Sequence, residues 1–339
     1  MTIKDLAIKT GYAVGTVSRA LNDHPNVSDK ARKAILQAAQ ECGFELNVNA
    51  KQLKQSHSNT ILVIVKGTSN ELFSEMLESI QNLISITHYQ LAVDYMDEDL
   101  NEVRRAVQLC REKKPQGIMF LGGNNQNFID DFDKIDIPCV LLTDDASSLH
   151  YSNLSSVSTD DAEAARCAID TLISLGHRHI AIIGGDRKTS DTSRLRYEGC
   201  QRSFREHGIV FDPDRDYRGV RYSYQDGYEA TKALLQAGSR FTAIFAIADV
   251  MAIGAIRALW EAGKRVPEDV SVMGIDGLPL GSFLVPQLST ISQSVHEMAQ
   301  RGVKILIRGI EEGSEAVYET VPFGVHRRES IRAITEQGE

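Results

Sequence analysis

The sequence predicts a small all-α helix-turn-helix domain followed by a two-lobed α/β domain with doubly wound parallel sheets. From residue 1 to about 57 the apolar residues recur at helical spacing, without a strand pattern. From Thr60 onward, short apolar runs of strand length alternate with amphipathic stretches of helix length. This alternation produces parallel sheets with helices on both faces, and seven or more strands over about 270 residues suit two lobes better than one.

Three short helices are expected at the N-terminus. The first runs over Ile3–Thr10 and ends at Gly11, which supplies a sharp turn. The second runs over Val14–Asn22, and the third carries apolar residues at helical spacing: Ala31, Ile35, Ala38 and Ala39. Two short helices joined by a glycine-containing turn form a helix-turn-helix, whose second helix lies in the major groove of DNA.

The spacing divides the second helix into two faces. Val17 and Leu21 face inward, which leaves four residues to face DNA: Val14, Gly15, Ser18 and Arg19. Arg19 is suited to donate two hydrogen bonds to guanine. An αα-hairpin without a DNA role has the same spacing, so the pattern alone leaves both interpretations open.

A polar linker without Gly or Pro, residues 45–59, connects this head to the second domain. The apolar runs that follow predict seven strands: TILVIV (60–65), YQLAVDYM (89–96), GIMFLGG (117–123), PCVLL (138–142), HIAIIGG (179–185), TAIFAIA (242–248) and VSVMGID (270–276). A helix is expected at Asp161–Leu172.

Charge is distributed unevenly along the chain. The 339 residues carry a net charge of −9, which by itself argues mildly against nucleic acid as a partner. Residues 1–58 hold eight Lys or Arg against five acids, a net of +3, so the remainder carries −12. A small basic head on a large acidic body is typical of a DNA reader with a separate sensing domain.

The five cysteines are scattered and form no C-x-x-C pair, which argues against a disulfide framework and a zinc site. The N-terminus carries charges where a signal peptide needs an apolar core, and no apolar run approaches the length of about 18 residues that spans a membrane. We therefore expect a cytoplasmic protein without a metal or another cofactor.

Catalytic signatures are missing from the sequence. There is no G-x-S-x-G, no H-E-x-x-H and no G-x-G-x-x-G after a strand. The segment GGDRKTS (184–190) departs from the phosphate-loop pattern at Arg187 and is expected to be a loop after a strand. His177 and His179 are expected to cap a helix or lie on the surface. These observations predict that the protein is not an enzyme.

The first 44 residues resemble the DNA-binding head of the LacI/GalR family of bacterial repressors, above all in TVSRALN (16–22) and VS…AR (27–32). The resemblance implies that Val14, Gly15 and Arg19 read bases. It further implies that Thr2, Ser18 and Asn22 contact the DNA backbone and that Asn26 also contacts DNA.

Residues 47–53 resemble the hinge helix of the same family, which enters the minor groove. The resemblance implies that Ala50 contacts DNA and that Leu53 is a wedge between base steps. A helix this short is unstable alone and should form only when two copies pack together on DNA. Leu46 and Lys51 depart from the family's usual Pro and Arg, and a flexible linker with an incidental leucine is the alternative.

The second domain resembles the ligand-binding core of this family, which shares the type I periplasmic-binding-protein-like fold. The matching blocks are LGHRHIAIIGG (175–185), RLRYEG (194–199), AIFAIADVMAIGAIRAL (243–259), RVPEDVSVMGID (265–276) and RRES (327–330). The resemblance implies a head at 1–45, a hinge at 46–59 and an effector-binding domain at 60–339. Within that domain it implies an N-lobe of about 60–157 and 291–320, and a C-lobe of about 158–290 and 321–339.

The same resemblance places the effector between the lobes, at the carboxyl ends of the strands. Six residues are implied there: Phe73, Thr143, Asp160, Arg196, Tyr222 and Asp276. Carboxylates and a guanidinium can share the hydroxyls of a sugar or nucleoside, while aromatic rings cover an apolar face. For Asp160 the alternative is a helix cap, and for Phe73 a core position. Ala248 departs from the family, which usually has Asn there, so one ligand hydrogen bond is expected to be missing.

The sequence therefore predicts a repressor that binds a pseudopalindromic operator as a homodimer under the control of a small neutral carbohydrate or nucleoside. A tetramer is not expected, because the nine residues after Ser330 are too few for a coiled coil. A solute-binding protein of a transporter is the alternative, since the second domain alone fits it equally well. An enzyme that uses the same cleft ranks third.

Overall fold

A computed structural model describes residues 3–21, 27–42, 59–67 and 70–334, in two compact units that span Met1–Ser58 and Asn59–Glu339. The first unit contains three helices among its described residues: α1 (Ile3–Thr10), α2 (Val14–Leu21) and α3 (Asp29–Glu41). The helix-turn-helix prediction is confirmed, with the bounds of α1 as expected.

Two local signals set the helix ends of the first unit. Gly11 has a φ of +73°, a conformation that favours glycine, and its amide donates to the Ala7 carbonyl to close α1. Ser28 caps α3, since its hydroxyl accepts a hydrogen bond from the Ala31 amide. Eight buried side chains form a small apolar core: Leu6, Ala7, Val17, Ala20, Val27, Ala31, Ile35 and Ala39.

The second unit contains two six-stranded sheets, one in each lobe. The first sheet is wholly parallel in the order β11-β5-β4-β3-β1-β2, and its strands are β1 (Thr60–Lys66), β2 (Gln90–Met96), β3 (Gly117–Leu121), β4 (Cys139–Leu142), β5 (Leu154–Thr159) and β11 (Tyr318–Val321). The second has the order β12-β10-β9-β8-β6-β7, with β12 antiparallel, and its strands are β6 (Ile180–Gly184), β7 (Tyr217–Gly219), β8 (Ala243–Ala246), β9 (Ser271–Asp276), β10 (Ser289–Gln293) and β12 (Phe323–His326).

Helices connect these strands in the doubly wound manner that the sequence predicts. They are α4 (Glu71–Ser85), α5 (Glu102–Lys113), α6 (Asn125–Asp131), α7 (Asp161–Ser174), α8 (Asp191–Glu206), α9 (Pro213–Asp216), α10 (Tyr224–Gln236), α11 (Asp249–Glu261) and α12 (Val295–Glu312). Short 3-10 turns lie at 132–134, 147–149 and 279–282.

The chain passes between the lobes three times: from β5 to α7, from β10 to α12 and from β11 to β12. The crossings lie a few residues after the expected ones at about 157, 290 and 320. The reason is strand pairing: Ser158 still pairs with Thr320 in the first sheet, and Ser292 still pairs with Asp276 in the second.

The seven predicted strands are present, with ends within two residues of the expected ones, but five further strands were not predicted. The most instructive is β5, LSSVST, which is buried throughout although half of it is serine. Two of its three serines form hydrogen bonds inside the fold: Ser155 accepts one from the Val317 amide and Ser156 accepts one from the Ala146 amide. Apolar runs therefore do not reveal this strand. In the described part of the chain, no helix is long and apolar enough to span a membrane.

Candidate functional site

A cleft of about 480 Å³ lies between the two lobes, a size typical of small-molecule sites. Most of its wall comes from the carboxyl ends of strands and from the segments that follow them. The first lobe contributes residues after β1, β2, β3 and β4, and the second contributes residues after β6, β7 and β9. This is the position at which open α/β sheets bind ligands.

Arg196 of α8 organises the wall of the second lobe. Its Nε donates to Asp161 Oδ1 at 2.7 Å, its Nη1 donates to the Ile247 carbonyl, and Nη1 lies 3.7 Å from Asp276 Oδ1. The guanidinium is almost completely buried, so its charge is stabilised by these carboxylates rather than by water. Burial alone would lower the pKa of Arg196, and Asp161 and Asp276 raise it.

Asp276 ends β9 and is also buried. Loss of solvent raises its pKa to about 6, while Arg196 and the side chain of Gln293 act in the opposite direction. The Gln293 amide donates to Asp276 Oδ1 at 2.8 Å, and its oxygen accepts from Thr159 at 3.2 Å. Gln293 thus connects the cleft to the first crossing between the lobes.

Asp144 is the central carboxylate of the first lobe. Its Oδ2 accepts from the Gly123 amide at 3.1 Å, and its Oδ1 accepts across the cleft from the Thr192 hydroxyl at 2.7 Å. Burial raises the pKa of Asp144 to about 7, and the Thr192 hydrogen bond lowers it. This carboxyl therefore changes its charge near neutral pH.

Two residues of the cleft have unusual backbone conformations. Thr143 follows β4 with a φ of +79°, and Asp276 has a φ of +130°. Such conformations cost about 1–3 kcal/mol each for residues other than glycine and cluster at binding sites. Both residues are held by their sheets, since the Thr143 amide donates to the Val157 carbonyl and Asp276 pairs with Ser292.

Aromatic rings come from both lobes. Phe73 of α4 lies against Gly122, where a Cβ atom would stand 2.9 Å from the Phe73 ring and where φ is +77°, so this position requires glycine. Tyr222 follows β7, and its hydroxyl lies 2.7 Å from the Ser193 hydroxyl. Burial raises the pKa of Tyr222 to about 12, so the ring stays neutral at physiological pH.

The cleft is lined by more negative than positive charge. Three cations line it, and a carboxylate pairs with each: Lys66 with Glu102, Arg196 with Asp161, and Arg221 with the 97–99 segment. Seven carboxylates line it: Asp97, Glu98, Asp99, Asp144, Asp186, Asp226 and Asp276. Within the described ranges, Asp144, Asp186 and Asp226 have no cation partner. The wall therefore offers acceptors for hydroxyl groups and repels anions.

Five of the six predicted effector residues lie on the cleft wall: Phe73, Thr143, Arg196, Tyr222 and Asp276. Asp160 does not. It is exposed, and its carboxylate caps α7 by accepting from the Glu163 amide at 2.9 Å. The neighbouring Asp161 points inward to Arg196 instead, so the alternative interpretation of Asp160 as a helix cap is correct.

Sequence reasoning missed several polar residues of the cleft region, notably Asp144, Asp161, Thr192 and Gln293. Asp144 directly follows Thr143 in LLTDD, and Asp161 follows Asp160 in STDD, so in both segments the correct neighbourhood was chosen. Which of the adjacent residues Asp160 and Asp161 points into the cleft region depends on the residue at which the helix begins. No local sequence pattern specifies that residue.

The structure also shows where the other residues of the second unit singled out in the sequence lie. The segment after β6, residues 185–190, is a loop as expected. His177 is buried rather than on the surface, because its ring nitrogens contact Thr242, Ser271 and the Arg332 carbonyl, and burial lowers its pKa. Ala248 precedes α11 without a side-chain cap. Among the residues that the structure describes, no group of His, Cys, Asp and Glu is arranged to hold a metal ion.

In the first unit, α2 presents the expected face to solvent. Val14, Gly15 and Arg19 are exposed and Ser18 is half-buried, whereas Val17 is buried in the core. Arg19 Nε donates to the Gly15 carbonyl at 3.3 Å, which lays the guanidinium along this face. The other predicted DNA contacts lie outside the described residues: Thr2, Asn22, Asn26, Ala50 and Leu53. The whole predicted hinge, residues 47–53, lies outside them as well.

Both units match known protein families. Residues 2–47 match the model described as bacterial regulatory proteins of the lacI family, and residues 169–331 match the periplasmic binding protein-like domain.

A curated protein and two solved structures match over most of the chain. The transcriptional regulator MalR of Clostridium butyricum is 34% identical over 320 residues, which cover 93% of this chain and 94% of that protein. A structure of the lac repressor dimer bound to operator and an anti-inducer is 26% identical with a TM-score of 0.77, and covers 98% of this chain and 99% of that one. The structure of a LacI family transcriptional regulator from Enterococcus faecium with bound ribose is 25% identical, with a TM-score of 0.70. The match covers 81% of this chain and 100% of that one.

Proposed function

Because the chain belongs to the lacI family of bacterial regulatory proteins, we propose that it represses transcription by binding a pseudopalindromic operator, and that a small molecule in the cleft controls this binding. The observation that carries the proposal is that one chain contains both a helix-turn-helix and a domain with a ligand-sized cleft. A helix-turn-helix with an exposed arginine on its second helix precedes a two-lobed domain with a polar cleft.

The head supplies the DNA contacts in this proposal. Arg19 donates to guanine, and Val14 and Gly15 allow close approach to base edges. Thr2, Ser18, Asn22 and Asn26 contact the DNA around these bases. Ala50 and Leu53 of the hinge enter the minor groove, where Leu53 separates two base steps. A two-fold operator requires two heads, so the functional unit is a homodimer in the cytoplasm.

The charge of the cleft selects the effector class. Among the residues that the structure describes, the seven carboxylates of the wall face three cations that are already paired, so a phosphorylated ligand would have to enter a negative site that offers it no unpaired cation. A neutral polyhydroxylated molecule, a carbohydrate or a nucleoside, can donate to Asp144 and Asp276 and stack against Phe73 or Tyr222. No cofactor is required for this role.

Two other functions are less well supported. The relative MalR is a transcriptional regulator, and the family model that matches residues 2–47 describes bacterial regulatory proteins. Both favour a regulator over the solute receptor of a transporter. The same comparisons favour a regulator over an enzyme.

The experiment that tests the proposal combines operator binding with a ligand screen. Fluorescence anisotropy would measure how tightly the full chain binds the DNA upstream of its own gene and how tightly it binds random DNA. A thermal-shift panel would compare neutral sugars, nucleosides and sugar phosphates. A ligand at 100 times its dissociation constant raises stability by about 2.7 kcal/mol, which such a panel detects readily. We expect sequence-specific binding and stabilisation by a neutral compound. Equal affinity for both DNAs, or stabilisation by sugar phosphates alone, would refute the proposal.

A further inference from the structure

The two lobes touch each other at the outer edge of the cleft through one concentrated group of charges. Arg221 follows β7 in the second lobe, and three consecutive acids, Asp97, Glu98 and Asp99, follow β2 in the first. Arg221 Nη2 lies 2.6 Å from Asp97 Oδ1 and 3.2 Å from Asp99 Oδ2, and its Nε donates to Glu98 Oε1. We call these four residues the clasp.

The clasp lies at the edge of each sheet that is farthest from the crossings. β2 ends the first sheet and β7 ends the second, while the crossings leave from β5, β10 and β11 at the other side. Four strand spacings of about 4.8 Å separate β2 from β5, so the clasp lies roughly 19 Å from the strand at which the first crossing begins. If the lobes open about the crossings, this edge moves farthest, so a contact here opposes opening more effectively than one nearer the crossings.

The three acids depend on Arg221. In the part of the chain that the structure describes, Arg221 is the cation in ion-pair contact with Asp97, Glu98 and Asp99. When the lobes separate, three adjacent carboxylates lose this cation and repel one another. Although an isolated surface ion pair contributes little, a cation shared by several carboxylates forms a network, which is the case in which exposed charges do contribute.

We propose that the clasp of Arg221 with Asp97, Glu98 and Asp99 holds the lobes closed over the cleft, so that the fraction of open molecules, and with it ligand entry and release, increases with ionic strength. This device operates through the protein's own charges and holds whatever the effector is. It makes the exchange of even a neutral ligand depend on salt.

A reporter of opening lies elsewhere in the interface between the lobes. The Asn125 amide, at the start of α6, donates across the lobes to Asp191 Oδ2 at 2.9 Å. This hydrogen bond must break when the lobes separate, so exchange of the Asn125 amide with deuterium reports the open fraction without any ligand.

The experiment compares amide exchange in the ligand-free full chain at 0.05 and 0.5 M NaCl for five proteins. Four of them are the wild type, Arg221→Gln, the triple variant Asp97→Asn/Glu98→Gln/Asp99→Asn, and the variant that combines all four substitutions. Arg308→Gln is the fifth protein and the control, because Arg308 is also an exposed, paired arginine but pairs with Glu312 within its own helix. An amide in the buried β1, such as that of Ile61, verifies that each variant keeps its fold.

We expect exchange at Asn125 to become about threefold to tenfold faster in Arg221→Gln and in the triple variant at low salt, with no further increase in the combination. High salt should accelerate exchange in the wild type and leave Arg221→Gln unchanged. Exchange in Arg221→Gln equal to that in Arg308→Gln, or additive effects of the two clasp variants, would overturn the proposal. Neither result depends on operator or effector binding, so the proposed function is tested separately.

Discussion

The second helix of the head and the wall of the cleft differ in whether their cationic side chains form ion pairs with carboxylates. On α2, the guanidinium of Arg19 lies on an exposed face and contacts a carbonyl of its own helix, and no carboxylate among the described residues forms an ion pair with it. In the cleft, Lys66, Arg196 and Arg221 each have a carboxylate within ion-pair distance.

This difference assigns different ligands to the two regions of one chain. An arginine that no described carboxylate neutralises is suited to bind a polyanion or a guanine edge. Paired cations hold carboxylates in place, and these then accept hydrogen bonds from an uncharged ligand. The net charge of −9 averages over both regions and for that reason predicts neither.

The largest expected effect comes from breaking the buried pairing of Arg196. Arg196→Ala leaves Asp161 and Asp276 buried without their cation, so the free energy of unfolding of the second unit should fall by about 3–5 kcal/mol. Urea denaturation followed by circular dichroism measures this. Arg257→Ala is the control, because Arg257 forms an exposed pair with Glu261 that contributes at most about 1 kcal/mol. A loss for Arg196→Ala as small as for the control would mean that the cleft charges are not coupled.

A second effect follows from the carboxyl of Asp144, whose pKa is about 7 in the folded protein because of burial, against 3.8 for an ordinary Asp. The folded state binds more protons than the unfolded state between these values, so this residue's contribution to stability falls as pH rises from about 4 to 7. Asp144→Asn does not titrate and should gain about 2–4 kcal/mol relative to wild type over this range.

Unfolding by urea at several pH values measures that difference. The Asn side chain can accept from the Gly123 amide through its oxygen and donate to the Thr192 hydroxyl through its NH2 group, so both contacts keep a hydrogen-bond partner. A difference between variant and wild type that is constant with pH would show that Asp144 is ionised throughout and that the cleft is more polar than its burial indicates.

The third effect concerns the head. Arg19→Ala should reduce discrimination between operator and random DNA by about 1–3 kcal/mol, since one arginine–guanine pair is lost. The thermal stabilisation of the second unit by its ligand should not change. Anisotropy titrations with both DNAs measure the ratio. An equal loss of affinity for the two DNAs would show that Arg19 contacts phosphate rather than a base.

The sequence predicted those parts of the molecule that follow from local patterns. Apolar runs located seven strands, and helical spacing separated the buried Val17 from the exposed Arg19 on α2. It did not predict β5, because serines that form hydrogen bonds inside a sheet look like a loop in the sequence.

The cleft shows the same limit at the level of single side chains. Thr143 directly follows an apolar strand, Asp276 ends one, and both were located from the sequence, but Asp160 was chosen over Asp161 because both follow the same strand. Only tertiary packing shows that Asp161 meets Arg196 from a different helix. The clasp likewise joins residues 97–99 to residue 221, a pairing that no spacing in the sequence indicates.

The most direct test of the account is a titration of operator binding by the effector in wild type and Asp276→Asn, with the compound that the thermal-shift panel identifies. Asp276 lies on the cleft wall and Asn is nearly isosteric, but it replaces a charged acceptor with a neutral one, which should weaken effector binding by about 1–2 kcal/mol. We predict that the variant binds operator with wild-type affinity and that its response requires roughly tenfold more effector. A response at the wild-type effector concentration, or a loss of operator affinity without effector, would contradict control from this cleft.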